Sequence, residues 1–336
     1  MTGTTGTKAK STPSRAAAPL PRSSNGAATV ERLILPIVWV AMIVVFGVLR
    51  PSTFLSWSNG SNVLGAQSVL FILALAALVP VFAGDFDLSL GGIMGIAGAF
   101  VGVGNVIWGL PIWVAVAMGL VFAVLAGALN AFLVVKLDTS PLIVTLGTGT
   151  LYTGVVYFLV NSTTIAGVSP ALSEATFTTR IGGISLAFFY AVIVMLVLWF
   201  ILSWTPLGLR ARFVGQSHAV ARLSGVNVNR IRWAAFMSGA LLAGVAGVLL
   251  VGLTGAFDPG ASASYLLPAY AAVFLGATSI SPGRFNALGT GIAVYFLATG
   301  VNGLQILGAQ AYVQQLFYGA ALVIAVVLAR WIRRRA

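Results

Sequence analysis

The chain alternates long apolar runs with short polar breaks. Ten runs can be delimited, at roughly 33–49, 62–82, 88–108, 111–135, 141–160, 184–204, 233–253, 264–280, 286–302 and 312–330. Each has about the 17–25 residues a helix needs to cross a hydrocarbon core. Pro51, Pro111, Pro141, Pro206, Pro259 and Pro282 fall at boundaries between runs, where a helix-breaking residue belongs. Very short links, Gly84–Asp87 and Ile280–Phe285, join two pairs of runs. The pattern predicts an all-α, polytopic membrane protein of about ten transmembrane helices occupying residues 31–336.

Charge tests that count. With the N-terminus inside and the helices alternating, only Arg50 and Arg180 of the 18 Lys and Arg residues fall outside. Bases stay on the cytoplasmic side of a membrane protein, so both termini are expected there. Of all residues 59% are hydrophobic and 7% charged, against about 25% charged in soluble domains, which excludes a soluble globule. The net charge of +12 would suggest nucleic acid in a soluble protein. Here topology accounts for it, and no nucleic-acid partner is expected. Residues 1–30 are rich in Thr, Ser, Ala, Pro and Gly, with no acid, which reads as a disordered cytoplasmic tail. A signal peptide is not expected, because the first apolar run begins near Leu33 and is long enough to span. The chain has no cysteine and one histidine, His218. Disulfides, thiol chemistry and a His-based metal site are therefore excluded. The ATP-binding pattern GxxxxGK[ST] is missing, so ATP is not bound by that route. No cofactor is expected.

Polar residues inside the runs are the candidates for function. Asp85 and Asp87 are costly in or near a bilayer, and such residues usually have a reason. Asp87 reads either as a polar point on a substrate or gating path, or as the N-cap of a helix beginning at Leu88. Asp85 reads as substrate-related or as exposed at the membrane edge. Thr145, Thr148 and Tyr152 are spaced to share one helix face. Their hydroxyls suit either a sugar or interhelical contact. Gln67, Asn130, Asn302 and Gln305 carry the same two readings. The Gly98–Gly102 pair has GxxxG spacing and predicts tight helix packing. Trp57, Trp108, Trp113, Trp199, Trp204, Trp233 and Trp331 lie near run ends, where indoles anchor at the interface. Segment 161–183 is the longest external loop, a connector or a rest for an external partner. Gly84, Ser89 and Gly91 repeat in spacing at Gly276, Ser281 and Gly283, a faint echo of the paired halves of transporter folds.

The longest charged stretch between runs is 210–232, within a cytoplasmic segment 205–232. It predicts a short amphipathic helix starting at Ser217, whose hydroxyl can cap the first turn. The helix should stop at Gly225, suited to the left-handed conformation after a helix end. Ala219, Leu223 and Val226 fall on one face, with His218 and Arg222 off it. Two readings stand: a solvated loop whose arginines fix topology, or a docking helix gripped by a soluble partner.

Four stretches, in order, resemble the permeases of sugar-type ABC importers, the ribose/xylose/galactoside group. Gly84-Asp-Phe-Asp-Leu-Ser-Leu-Gly91 is similar to that family's Gly-Gly-Ile-Asp-Leu-Ser-Val-Gly signature. Pro141-Leu-Ile-Val-Thr-Leu-Gly147 is similar to its Pro-x-x-Val-Thr-Leu-Gly segment. The run from Gly215 through Ala221-Arg-Leu-Ser-Gly-Val226 resembles its coupling loop. Ala271–Gly276, Gly283-Arg284 and Leu288–Thr290 resemble its C-terminal glycine-rich block. The resemblance spans roughly residues 60–335. It implies a bacterial inner-membrane permease subunit that forms the path for a sugar or related small polar solute. Partners implied are ATP-binding cassette subunits inside, a solute-binding protein outside, and a second permease copy or a paralogue. Gly215, Ser217, Ala219, Arg222, Leu223 and Gly225 would couple to the ATPase. Asp85, Asp87, Gln67, Thr145, Thr148, Tyr152 and Asn302 are substrate-path candidates. The family tends to carry Asn near 217 and an acid near 219, where this chain has Ser217 and Ala219. Shape should then matter more than charge, with Arg222 the remaining ionic contact. The family's aspartate sits at 87, whereas at 85 it usually has a small residue. An ion-coupled secondary transporter is the competing reading, since two intramembrane acids are available. An integral-membrane enzyme lacks catalytic groups.

Overall fold

The computed structural model describes residues 2–3 and 25–335. Most of the expected tail, including Lys8, Lys10, Arg15 and Arg22, lies outside the described residues. Helix α1, Asn25–Leu49, begins inside the predicted tail boundary. There follow α2 (Trp57–Phe82), α3 (Leu90–Ile107) and α4 (Ile112–Lys136). Next come α5 (Pro141–Leu159), α6 (Leu186–Trp204), α7 (Pro206–Gln216) and α8 (His218–Leu223). The last four are α9 (Val228–Thr254), α10 (Leu266–Gly276), α11 (Ala287–Ile306) and α12 (Ala311–Arg335).

The ten apolar runs match ten helices one to one. Seven of them are long and apolar enough to cross a membrane. The apolar parts of α1, α10 and α12 are shorter. Several boundaries differ from the sequence reading, α2 starting at Trp57 and α11 ending at Ile306 among them. Helix α3 starts at Leu90 rather than 88. Helix α9 starts at Val228, several residues early, because Asn227 caps it by accepting from Arg230 N at 3.1 Å. The run expected to reach 280 stops at Gly276. The chain then turns through Ile280 at φ 61° and Gly283 at φ 78° before Asn286 caps α11.

Helices α2, α3 and α9 form the centre of the bundle, with α9 packed on α2, α3 and α4. Residues Val69–Leu78 of α2 are buried on every face. Backbones come close where α9 meets α3: a Cβ on Gly247 would overlap the Met94 carbonyl. Small residues permit such approach where lipid supplies no hydrophobic drive. The Gly98–Gly102 face is tightly packed, as predicted, but its partner is the Phe257 ring, 2.7 Å from a Cβ built on Gly98. Helix α6 lies at the edge of the bundle: only Ala187 and Ala191 are buried, and Phe188, Met195 and Leu202 pack half-buried against the core.

The two ends of the bundle differ in charge. Lys136, Arg210, Arg212, Arg222, Arg230, Arg232 and Arg284 lie in segments at one end. Arg180, Glu174 and Asp258 lie in segments at the other. This second end is tied by two small antiparallel pairs, Ile165–Ala166 with Ala256–Phe257 and Arg180–Ile181 with Ile184–Ser185. Asn105 also reaches the external loop there, accepting from Ser169 N at 2.8 Å. Trp57, Trp108, Trp113 and Trp204 are exposed at helix ends, as interfacial anchors are.

Candidate coupling and translocation site

The non-helical linker 83–89 between α2 and α3, at the base-rich end, is where most of the singled-out polar residues meet. Its chain direction is set locally by Gly84, whose φ of 89° favours glycine. A Cβ there would also lie 3.1 Å from both Gly215 Cα and His218 Nε2.

Asp85 departs furthest from expectation. It is neither exposed nor free to meet a solute: it is 1% exposed and forms a bidentate ion pair with Arg232 of α9. Arg232 Nε and Nη2 donate to Asp85 Oδ2 and Oδ1 at 2.7 and 2.9 Å. Arg232, read from sequence only as a topology base, is itself buried. Its predicted place just before a helix would have been wet; the early start of α9 draws it into the bundle. It is the only ion pair among the described residues.

Asp87 is fully buried. The cap reading is corrected: Ser89 holds the N-cap position and no side chain caps the helix, so Asp87 braces the turn that precedes it. The helix begins at Leu90, and Asp87 Oδ1 accepts from Ser89 N at 3.0 Å and from the Ser89 hydroxyl at 2.5 Å. Its Oδ2 has no hydrogen-bond partner among the described residues. Asn130 of α4, buried, donates to Ser89 Oγ at 2.6 Å. Tyr270 of α10 brackets the Asp87 backbone: Asp87 N–H donates to its hydroxyl at 3.1 Å, and that hydroxyl donates to Asp87 O at 2.8 Å. Phe86 stacks on Phe274, centroids 6.0 Å apart.

The Thr145, Thr148 and Tyr152 stripe is buried, and its hydroxyls are spent on protein groups. Thr145 Oγ1 accepts from Leu88 N at 3.0 Å and donates to Pro141 O at 2.8 Å. Thr148 Oγ1 faces Thr145 O at 3.4 Å. The Tyr152 hydroxyl lies in donating reach of Ala126 O at 2.9 Å and Asn130 Oδ1 at 3.1 Å. Thr145 and Tyr152 thus reach the linker and α4, while Thr148 bonds within its own helix. Gln67 and Asn302 stand away from the linker. Gln67 sits at the break within α2, and Asn302 exchanges paired amide bonds of 3.1 Å with Asn59. Gln305 bonds Gln314 at 3.2 Å.

The stretch 205–232 folds into α7, α8 and the start of α9. Ser217 caps α8 by accepting from Val220 N at 3.4 Å. Gly225, at φ 78°, ends it, with Val226 N donating back to Ala221 O at 3.1 Å. That is the left-handed stop the sequence predicts. The faces sort differently from the helical projection. Ala221 is buried against Val214, Val228 and Ala83, while Val226 turns under the helix after Gly225. Ala219, Val220 and Arg222 point outward, and Leu223 is 89% exposed. His218 faces inward, its Nε2 donating to Ala83 O at 3.1 Å. Gly215 is a packing point: a Cβ there would overlap Phe82 O.

The linker is therefore a junction. Helices α7 and α8 touch it at Phe82–Gly84, α9 at Asp85, α10 and α5 at Phe86–Leu88, and α4 at Ser89. Sequence reasoning missed Arg232 and Tyr270 as partners in it. The only available signal was pairing arithmetic, an unexplained acid and a base that share one membrane side.

Comparison with known proteins places the chain in a family. Residues 59–326 match the family model described as branched-chain amino acid transport system / permease component. The ribose import permease protein RbsC of Bacillus subtilis (strain 168) is 31% identical over 86% of this chain and 89% of its own length. RbsC of Escherichia coli (strain K12) is 30% identical over 87% and 91% respectively. The D-allose transport system permease protein AlsC of Escherichia coli (strain K12) is 27% identical over 87% and 90%. The match covers most of the chain and includes the linker, the α5 stripe and α8: the chain belongs to the family of branched-chain amino acid transport system permease components.

Proposed function

We propose that this chain is the membrane-spanning subunit of an ATP-driven importer in a bacterial inner membrane, carrying a sugar or a related small polar solute. The family description names amino acids, but relatives that align over 86% and 87% of the chain include permeases named for ribose and allose, which favours a sugar. ATP hydrolysis belongs to a separate cassette subunit docked on α8 at the base-rich, cytoplasmic end. A solute-binding protein delivers substrate at the opposite end, and a second copy or a paralogue completes the path.

One observation carries the coupling assignment. The outward Ala219, Val220 and Leu223 face of α8 stands on a base wired to the linker through His218, Gly215 and Ala221. An exposed leucine costs little if a partner groove covers it. Movement of α8 is then delivered to Ala83–Asp85. From there Arg232, Tyr270, Thr145 and Asn130 distribute it to α9, α10, α5 and α4, the helices that must rock for alternating access. Asp87, Thr145, Thr148 and Tyr152 act as the packed relay of this junction rather than as direct solute ligands. Of the two intramembrane acids an ion-coupled mechanism would draw on, Asp85 is occupied by the Arg232 guanidinium, and Asp87, whose Oδ2 is unpartnered among the described residues, is fully buried in the packed linker.

The test is uptake into vesicles holding the permease, with ATPase and binding protein added in turn. Uptake should require both proteins and ATP. Uptake without the ATPase that collapses with the ion gradient would refute the assignment.

A further inference from the structure

A cavity of about 970 Å³ opens beside the junction, between the ends of α2 and α6, helix α7, and the turn before α11. Its walls include Phe82, Leu202, Phe274 and Val326, and its polar rim carries Arg212, Arg284 and Asn286. None of the residues lining it is an acid. Neither guanidinium has an acid partner among the described residues, where the sole ion pair is Asp85–Arg232. Burial and the neighbouring Arg284 charge both hold the Arg212 guanidinium below its ordinary range, so the two cations share one site. Depth also bears on the occupant. Leu202 and Ser203 end α6, next to Trp204, which is 70% exposed and stacks edge-on with Trp199. Paired indoles of this kind mark the headgroup level. Two arginines without acid partners, together with Ser203, Gln216 and Ser281 and beside the apolar Phe82, Leu202, Phe274 and Val326 at that level, have the polarity of an amphiphile with an anionic head. Arginine matches phosphate geometry through paired N–H donors, and basic pockets between helices on the cytoplasmic side suit anionic headgroups.

We propose that this cavity binds an anionic glycerophospholipid of the cytoplasmic leaflet, its phosphate on Arg212 and Arg284 and an acyl chain along Leu202, Phe274 and Val326. The occupant is a lipid rather than a free anion, because the arginines share the cavity with the apolar side chains of Phe82, Leu202, Phe274 and Val326, which a free anion would leave uncovered. It is a lipid rather than a protein acid, because the cavity opens at bilayer level. The site lies against Gly84 and Gly215, so a bound lipid presses on the contact between α7 and the linker. Lipid composition would thereby set how firmly α8 is held to the junction. This inference rests on the orientation proposed above, but the binding measurement does not depend on transport.

The test is native mass spectrometry of the full chain released from nanodiscs of phosphatidylcholine with one-fifth phosphatidylglycerol. The expected result is selective retention of phosphatidylglycerol, falling roughly tenfold or more in Arg212→Gln/Arg284→Gln. It should be unchanged in Lys136→Gln, an exposed base of α4 outside the cavity. A photoreactive phosphatidylglycerol analogue should label peptides containing Leu202 or Phe274 in the unmodified chain, which keeps the test open if the double variant folds poorly. Equal retention of both lipids, or labelling only elsewhere, would overturn the site. Displacement of the lipid by inorganic phosphate would assign the arginines to a free anion. Displacement by the ATPase subunit would assign the cavity to that interface.

Discussion

The buried pair between Asp85 and Arg232 makes the sharpest stability prediction. Both side chains are nearly sealed from solvent and joined by two charge-assisted hydrogen bonds, 2.7 and 2.9 Å long. Arg232→Met leaves a carboxylate buried with no counter-charge, and Asp85→Leu leaves a guanidinium in the same position. Each single change should cost about 3–5 kcal/mol. A solvent-exposed pair would cost roughly 0–1 kcal/mol. Replacing both partners removes the desolvation penalty along with the attraction, so Asp85→Leu/Arg232→Met should lie within about 1–2 kcal/mol of the parent chain. The two single costs therefore must not add, and the double-mutant cycle isolates the pair. The assay is unfolding in nanodiscs, followed by the fluorescence of the eight tryptophans. Single variants should lower the midpoint by roughly 5 °C or more. Single costs below about 1 kcal/mol, or costs that simply sum in the double variant, would show that water reaches the pair and that the linker is not anchored to α9 as argued.

Other predictions follow from the same junction. Asp87→Asn should keep the Ser89 bonds and remove a buried charge whose Oδ2 lacks a partner, leaving protein level and most uptake intact. Asp87→Leu, which strands the Ser89 N–H and hydroxyl donors, should cost about 1–3 kcal/mol, read by the same unfolding assay. Gly215→Val should displace Phe82 and Ala83, whose backbone its side chain would meet, lowering uptake while ATPase subunits still co-purify. Reporters placed at Gly167 and after Ala336 should read opposite membrane sides; a shared side would refute the topology.

The sequence makes the helices legible because a membrane span needs a long apolar run. The α8 stop at Gly225 and its start at Ser217 follow from local backbone chemistry, so both are readable too. The position of each helix in the bundle is not readable in this way. Val69–Leu78 of α2 and Leu186–Trp204 of α6 are equally apolar, yet the first is buried on every face and the second buries only Ala187 and Ala191. Lipid and packed protein make the same demand on composition, so periodicity carries no direction. The burial of Asp85, expected to be substrate-related or exposed, is not legible for a related reason. Its partner Arg232 lies far along the chain, and a base near a run end looks like a topology signal until the helix start is known. The hydroxyl stripe of α5 was placed correctly on one face. Which neighbour that face meets depended on the linker fold, set by Gly84 at positive φ and by Tyr270 from another helix.

The central claim is that α8 takes the ATPase's motion through an exposed apolar face and passes it to the linker. It is tested most directly with Leu223→Asp in a reconstituted importer. Leu223 is 89% exposed in the isolated chain, so the change should leave folding and insertion unaltered. In a partner groove, losing that side chain removes on the order of 2 kcal/mol of contact and places a carboxylate against an apolar wall. The account predicts that the ATPase subunits wash off at least tenfold more readily and that ATP-driven uptake is lost. Arg222→Ala, at a wet rim, should only weaken uptake. Full ATPase retention and normal uptake by Leu223→Asp would contradict the account and leave α8 a solvated surface helix.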